Sequence, residues 1–337
     1  MTMAFQKAAV FTDIHFGCRS NSDTHNNDCL DFIDWFIKEA DEFGAETCIF
    51  LGDFFHNRST INVNTLNYGI EGLTRLAEYF TNVYFVVGNH DMFFKDKRDV
   101  TSARFGQLLE KVTVVQHPLV IGDTRFQPWM IGDEWKSIPE WQEKYVFGHF
   151  EIPGFLLNAM IECQDHGTVN KNLFTNQEYV FTGHFHKRQR SGNIHYIGNA
   201  FPHNYADAWD FERGCMLIEH GGKPIYRDWE NCPKYITTNL SDIIADPSKY
   251  LTPDVYARVT IDVDLSYEEM ATIRDELERM FQVREMELRP KNLVDEMSNT
   301  ALEVNFQTID QIIEEGLLAV DSATIDNAIL VEIWRSV

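Results

Sequence analysis

The pattern that most narrows what this chain can fold into is a short apolar run that stops on a polar group, usually behind a glycine. Ala8-Ala9-Val10-Phe11-Thr12 ends at Asp13, Thr47 to Leu51 ends at Gly52-Asp53, and Val83 to Val87 ends at Gly88-Asn89. Tyr145-Val146-Phe147 and Tyr179-Val180-Phe181 lead in the same way to Gly148-His149 and Gly183-His184. Continuous apolar runs of about five residues read as strands buried on both faces. Helical patterns separate the first three. Asn26/Asn27 are suited to cap a helix with Leu30, Ile33, Ile37 and Ala40 on one face, and Gly44 is suited to end it. A second helix is predicted from about Asn64 to Tyr79, with Leu66, Ile70, Leu73 and Leu76/Ala77 inward. This alternation predicts an open α/β architecture, which places its ligands at the carboxyl ends of its strands.

The stops carry one chemistry. Asp13-x-His15, Gly52-Asp53, His56, Gly88-Asn89-His90-Asp91, Gly148-His149 and Gly183-His184-x-His186 supply Asp, Asn and His side chains. These hold pairs of divalent cations for phosphate-ester hydrolysis: a carboxylate can bridge two ions, and neutral imidazoles complete each shell without excess negative charge. Glycine before a ligand lets the backbone turn sharply and approach an ion closely. Each stretch alone is common, and any one His pair reads equally well as core or surface histidine. The ordered set does not.

Length and composition set the outer bounds. The 337 residues suffice for one large core and a smaller module. Apolar runs stay far short of a membrane span, and the first residues show no secretory apolar segment. The six cysteines form no C-x-x-C pair or dense framework, which points to reduced thiols in a cytoplasm. The formal charge of −23 is a poor match to nucleic acid as a whole. The excess is uneven: from Val255 onward 18 Asp and Glu face 7 Lys and Arg. Basic residues instead flank the polar stops: Arg58, then Lys95, Lys97 and Arg98, then Lys187, Arg188 and Arg190. Three such clusters beside three loops suit a groove for a polyanion, so these residues are candidate DNA contacts.

Taken together, Asp13-Ile14-His15, Gly52-Asp53-Phe54-Phe55-His56, Gly88-Asn89-His90-Asp91, Gly148-His149 and Gly183-His184-Phe185-His186 resemble the calcineurin-like metallophosphoesterase superfamily. Within it the chain is similar to the SbcD branch of DNA double-strand-break repair nucleases, particularly the recombination-endonuclease subunit of tailed phages. Gly-Asp-x-x-His at 52–56, Asn89-His90-Asp91, and Tyr196-Ile197-Gly198-Asn199-Ala200-Phe201-Pro202 followed by Arg213-Gly214 point to that branch. The resemblance implies a four-layer α/β sandwich with helices on two central β-sheets, a small α/β capping domain and C-terminal helices. It divides the chain into a nuclease domain at 1–230, a cap at 231–292 and a partner-binding segment at 293–337. It further implies that Asp13, His15 and His186 hold one metal, that Asn89, His149 and His184 hold the other, and that Asp53 bridges them. The expected ions are two Mn²⁺, with Mg²⁺ or Fe as alternatives; hard oxygen and imidazole donors without thiolate agree. His90 is expected to protonate or orient the leaving oxygen with Asp91 fixing its tautomer, and His56 to position the scissile phosphate. His25, His117, His166, His195, His203 and His220 receive no role.

Downstream, Tyr256 to Asp264 alternates as a half-exposed strand, Ser266 and Glu269 form a capping-box pattern for a helix to about Met280, and Val283 to Leu288 reads as a strand. Ile309, Ile312, Ile313 and Leu317, then Ile325, Ile329, Ile333 and Trp334, mark two amphipathic pieces. By family analogy these dock on an SbcC-type, SMC-like ATPase, and the chain forms a homodimer. The expectation is a manganese-dependent DNA exo- and endonuclease subunit. A small-molecule phosphomonoesterase or phosphodiesterase on the same fold, and a non-catalytic subunit that holds DNA ends, stay open.

Overall fold

A computed structural model of the chain describes residues 3–157, 162–165 and 167–290. In chain order its strands are β1 (Lys7–Phe11), β2 (Thr47–Phe50), β3 (Asn82–Val86), β4 (Val112–Val115), β5 (Leu119–Ile121), β6 (Thr124–Gln127), β7 (Tyr145–His149) and β8 (Tyr179–Gly183). There follow β9 (Gln189–Ser191), β10 (Ile194–Tyr196), β11 (Gly214–Glu219), β12 (Ile225–Asp228), β13 (Lys234–Asn239), β14 (Val255–Ile261) and β15 (Glu285–Pro290). Apart from a single turn at Cys18–Asn21, the α-helices of the described residues are α1 (Asp23–Phe43), α2 (Val63–Tyr79), α3 (Leu240–Ala245), α4 (Pro247–Tyr250) and α5 (Tyr267–Phe281).

Two six-stranded sheets carry the fold, in the orders β12-β11-β1-β2-β3-β4 and β5-β6-β7-β8-β10-β9. Strands β1 to β4 run parallel, with β4 at the edge, as do β6, β7, β8 and β10, while the antiparallel strands β11, β12, β5 and β9 lie toward the other edges. Alternation within a strand sorts the residues. Ala8 and Val10 of β1 face the second sheet, meeting Phe126, Tyr145, Phe147 and Phe181. Ala9 and Phe11 face the other way, onto Phe32 and Phe36 of α1 and Phe50 of β2. The outer face of the second sheet is covered by a 3₁₀ turn at Glu134–Glu140 and the loops after β7, through Ile138, Trp141, Phe150 and Phe174.

Helix boundaries differ a little from expectation. Helix α1 starts at Asp23 with Ser22 as its cap, because the Ser22 hydroxyl accepts the His25 amide. Asn26 is instead buried inside the helix, where its carbonyl accepts from the Gly17 amide. Gly44 ends α1 in the left-handed region as predicted. Ile70 of α2 faces solvent at 42% exposure, so the inward stripe runs through Leu73, Leu76 and Ala77.

The third sheet, β13-β14-β15, is all parallel, with α5 opened by the Ser266/Glu269 capping box. Strand β13 carried no clear sequence signal. This sheet is joined to the rest through Arg19, whose guanidinium lies 4.1 Å from the Tyr256 ring centre, donates to the Tyr235 hydroxyl at 2.9 Å and pairs with Glu285. Arg284 adds a 2.6 Å bond to Asp28. The amphipathic pieces between Thr308 and Trp334 lie outside the described residues. No helix among the described residues is long and apolar enough to cross a membrane.

Candidate metal centre

The loops after β1, β2, β3 and β8, together with the last residue of β7, meet at one edge of the two sheets. Backbone bonds from Asp13 to the Gly52 carbonyl and from His15 to the Asp53 carbonyl lock the first two loops together. Several ligand positions pay for this convergence in backbone strain: Asp13, His15, Asp53 and His184 all have φ between 50° and 88°. Space is equally tight. A Cβ on Gly88 would stand 2.3 Å from the Asp53 Oδ1, and one on Gly183 would stand 2.1 Å from the Thr12 hydroxyl and 2.8 Å from the Asp13 Oδ2.

Among the clusters that result, two share Asp53. Ligand atoms of Asp13, His15 and Asp53 lie within 4.8 Å of one another, and so do those of Asp53, His149 and His184. The Asp53 Oδ2 is 3.9 Å from the His15 Nε2 and 3.3 Å from the His149 Nε2, between the two groups. His186 turns its Nε2 to within 3.9 Å of the Asp13 Oδ1. The Asn89 Oδ1 lies 3.0 Å from the His149 Nε2 and 3.1 Å from the His184 Nδ1. Distant partners aim the imidazoles. His149 donates its Nδ1–H to the Leu51 carbonyl at 2.7 Å, which turns Nε2 inward. The Thr12 hydroxyl and the His184 amide hold one Asp13 oxygen at 2.7 and 3.0 Å.

The donors fit divalent cations. The Asp13 Oδ1 and both ring nitrogens of His15 are buried without a hydrogen-bond partner, an arrangement that costs about 1–3 kcal/mol per group unless something charged satisfies it. The clusters contain carboxylate and imidazole but no thiolate among the described residues, which suits hard to borderline ions. Titration follows from the crowding. Burial opposes charge on His149, yet the Asp53 and Asp13 carboxylates outweigh it and raise the ring to about 9. Burial likewise works against the Asp13 carboxylate, but His15, His149 and His186 bring it down to about 2.

His56 and His90 border this centre, half-buried, with rings stacked at 5.8 Å. The His90 amide binds the Asp53 Oδ1 at 2.8 Å, and its Nδ1–H donates to the His56 carbonyl at 2.6 Å. Burial, then the nearby His15 and His90 rings, hold His56 down to about 4.

Several expected roles change. Asp91 does not orient His90: fully buried, it accepts the backbone amides of Gly88, Asp53 and Phe54, each at 2.9 Å. It is a bracket between the Asp53 and Asn89 loops, and the His56 carbonyl takes the tautomer-fixing part. Arg98 is not a free DNA contact, because it is buried against Glu134 and the Trp129 carbonyl. Arg188 is spent on Asp228 and the Ile197 carbonyl, and Lys187 pairs with Asp210 at 3.3 Å. Arg190 opposes His195 and shares a hollow with Tyr179 and Lys223, at the opposite end of β8 from His184. Arg58 ties the Asn89 carbonyl at 2.7 Å, while Lys95 and Lys97 remain exposed, the latter 4.2 Å above the Phe94 ring.

Glu151 was missed. Its carboxylate takes the Nε2 of His184 at 3.2 Å, leaving Nδ1 to face the centre; only its position two residues after His149 could have signalled it. Beside it opens a cavity of about 170 Å³ walled by Trp129, Met130, Trp135, Phe150 and Val169. The Trp129 ring stands 4.9 Å from that of His184.

Residues 7–188 match the family model of the calcineurin-like phosphoesterases. The chain belongs to that family. It is a metallophosphoesterase; the family's fold implies divalent ions, and the two clusters that share Asp53 are donor sets able to hold them. Exonuclease subunit 1 of Enterobacteria phage T4 is 26% identical over 218 residues, which cover 61% of this chain. The chain thus spans 62% of that relative's length. Among solved structures, a dimetal phosphatase from Danio rerio aligns over 63% of this chain and 92% of its own, at 11% identity and a TM-score of 0.38. A nuclease, MPE, from Pseudomonas putida aligns over 64% and 84%, at 18% identity and a TM-score of 0.31.

Proposed function

We propose that this chain is a metal-dependent DNA nuclease subunit that hydrolyses phosphodiester bonds. The observation that carries the proposal is Asp53, one carboxylate shared by two ligand clusters with the His56/His90 pair alongside. Asp13, His15 and His186 would hold one ion, Asn89, His149 and His184 the other, and Asp53 both. Bound divalent ions would supply Lewis acidity to the phosphoryl group and its water nucleophile. The chain's own residues do the rest. His90, with Nδ1–H committed to the His56 carbonyl, presents Nε2 to the substrate and, when protonated, donates there to the leaving oxygen. His56 contacts the phosphate. Glu151 and Leu51 keep His184 and His149 turned inward.

A polymeric substrate is favoured over a small ester by two features. The aromatic-walled cavity beside His149 suits a planar base next to the scissile phosphate. The relative from phage T4 is itself an exonuclease subunit. Mn²⁺ is the expected ion. Residues 1–230 form the nuclease domain, 231–292 the cap, and 293–337 the segment that binds an SbcC-type ATPase; the working unit is a homodimer. With a net charge of −23, much of the affinity for DNA falls to that partner.

The test is cleavage of an end-labelled duplex and of p-nitrophenyl phosphate by the purified chain, with Mn²⁺ or EDTA and with or without the ATPase. Duplex cleavage that needs Mn²⁺, and that falls about 10²-fold or more in His90→Asn with metal retained, is expected. Turnover of the chromogenic monoester with an untouched duplex would defeat the nuclease assignment.

A further inference from the structure

At one edge of the metal centre three imidazoles converge where the family's ligand set accounts for two. The rings of His15 and His186 lie 5.3 Å apart, and His203 stands 5.3 Å from the first and 5.4 Å from the second. One nitrogen of each falls within 4.8 Å of the other two. Imidazoles that bind one ion through nitrogens at about 2.1 Å set their ring centres roughly 5 Å apart, so the spacing is that of a shared ion.

His203 is also built into place. It is 1% exposed, and its Nε2 is buried without a hydrogen-bond partner. Its other ring neighbours are Phe201 at 5.0 Å, which offers no acceptor, and His25 at 5.3 Å, whose Nε2 is taken by the His15 carbonyl. The His203 amide is anchored on the buried Asp207, which pairs with the buried Arg213. A buried imidazole with an unpartnered nitrogen, packed edge-on against two ligand histidines and held on an anchored backbone, is a donor suited to a cation.

We propose that His203 is a further ligand to the ion held by Asp13, His15 and His186. This rests on the binuclear reading of the centre. That ion then has three imidazoles and the other has two, which makes the first position more selective for a transition ion over Mg²⁺.

The experiment is calorimetric titration of the EDTA-stripped full chain with Mn²⁺ and separately with Mg²⁺. The wild type is compared with His203→Gln, His203→Phe and, as control, His195→Gln, a buried histidine held by Tyr226 away from the centre. Near-UV circular dichroism of the stripped proteins shows that each variant has kept its packing. Two Mn²⁺ in the wild type and the control, with one of them weakened about 10–100-fold in both His203 variants, is the expected result. Mg²⁺ affinity should change less. A chain loaded with Co²⁺ gives a readout independent of stability, because a ligating His203 ring contributes hyperfine-shifted proton signals that vanish in His203→Gln. Wild-type Mn²⁺ affinities in both variants, or no such signals, would overturn the assignment and leave the binuclear centre intact. A wild type that binds no ions would bring down the centre and the proposal together.

Discussion

Gly88→Ala is the sharpest probe of the shared carboxylate. The backbone of Gly88 is not among the positive-φ residues, so alanine meets no conformational objection there. The obstacle is steric. The added Cβ would stand 2.3 Å from the Asp53 Oδ1, 2.6 Å from its amide nitrogen and 3.1 Å from its Cγ. Relief to van der Waals distance moves the carboxylate by roughly 1 Å and strains the backbone beneath it; overpacking of this kind costs about 1–3 kcal/mol. It also weakens the bond from the His90 amide to the Asp53 Oδ1, worth about another 1 kcal/mol. Coordination tolerates errors of only about 0.2 Å, so a shift several times larger should strip both ions together, not one. A misplacement near 1 Å can lower turnover about 10²-fold. Equilibrium dialysis against Mn²⁺ measures the ions retained, and urea unfolding of the EDTA-treated protein measures the strain. Gly132→Ala is the comparison, since a Cβ there meets nothing within 4 Å and only its φ of +54° is unfavourable. A Gly88→Ala protein that holds two ions at wild-type affinity would refute the reasoning, because the bridging oxygen could not then lie where it is placed.

Other outcomes test the supporting residues. Asp91→Ala leaves three buried amides without an acceptor, at about 1–3 kcal/mol each before relaxation; its urea midpoint should fall, whereas unchanged stability with an altered pH–rate profile would return Asp91 to a partnership with His90. Glu151→Gln should weaken Mn²⁺ binding about 10-fold or more by calorimetry, and an unaltered isotherm would make the His184 contact incidental. For the metal-free protein, His149 has its pKa raised from 6.5 to about 9, so its contribution to stability is complete below pH 6.5 and disappears as pH climbs through 9. The melting temperature of EDTA-treated wild type should drop across that window, and a flat profile would mean that His149 is not charged by Asp53 and Asp13.

Much of the centre was legible because each ligand sits at the end of an apolar run, and strand ends are where open α/β sheets gather polar groups. The residues that resisted reading depend on partners far along the chain. Arg98 and Arg188 looked like groove charges for DNA, but they are neutralised by Glu134 and Asp228, 36 and 40 residues away. Asp91 looked like a partner for His90 because they are adjacent, yet Asp91 accepts the Gly88, Asp53 and Phe54 amides while the His90 ring bonds the His56 carbonyl. Ser22 took the cap from Asn26 because Asn26 was needed by Gly17. His203 follows no periodicity and no apolar run, so only the fold could bring it beside His15 and His186.

The proposed ligands are divided between the sheets. Asp13, His15, Asp53 and Asn89 follow strands of the first, whereas His149, His184 and His186 belong to the second. Neither half of the sandwich owns a complete coordination shell, so ions that enter become a keystone between the two halves. Their binding energy is then spent on keeping the layers together. Chelation should loosen the seam between the sheets before it disturbs either sheet alone, and the supply of ions in the cell would set how long the molecule survives as well as how fast it works.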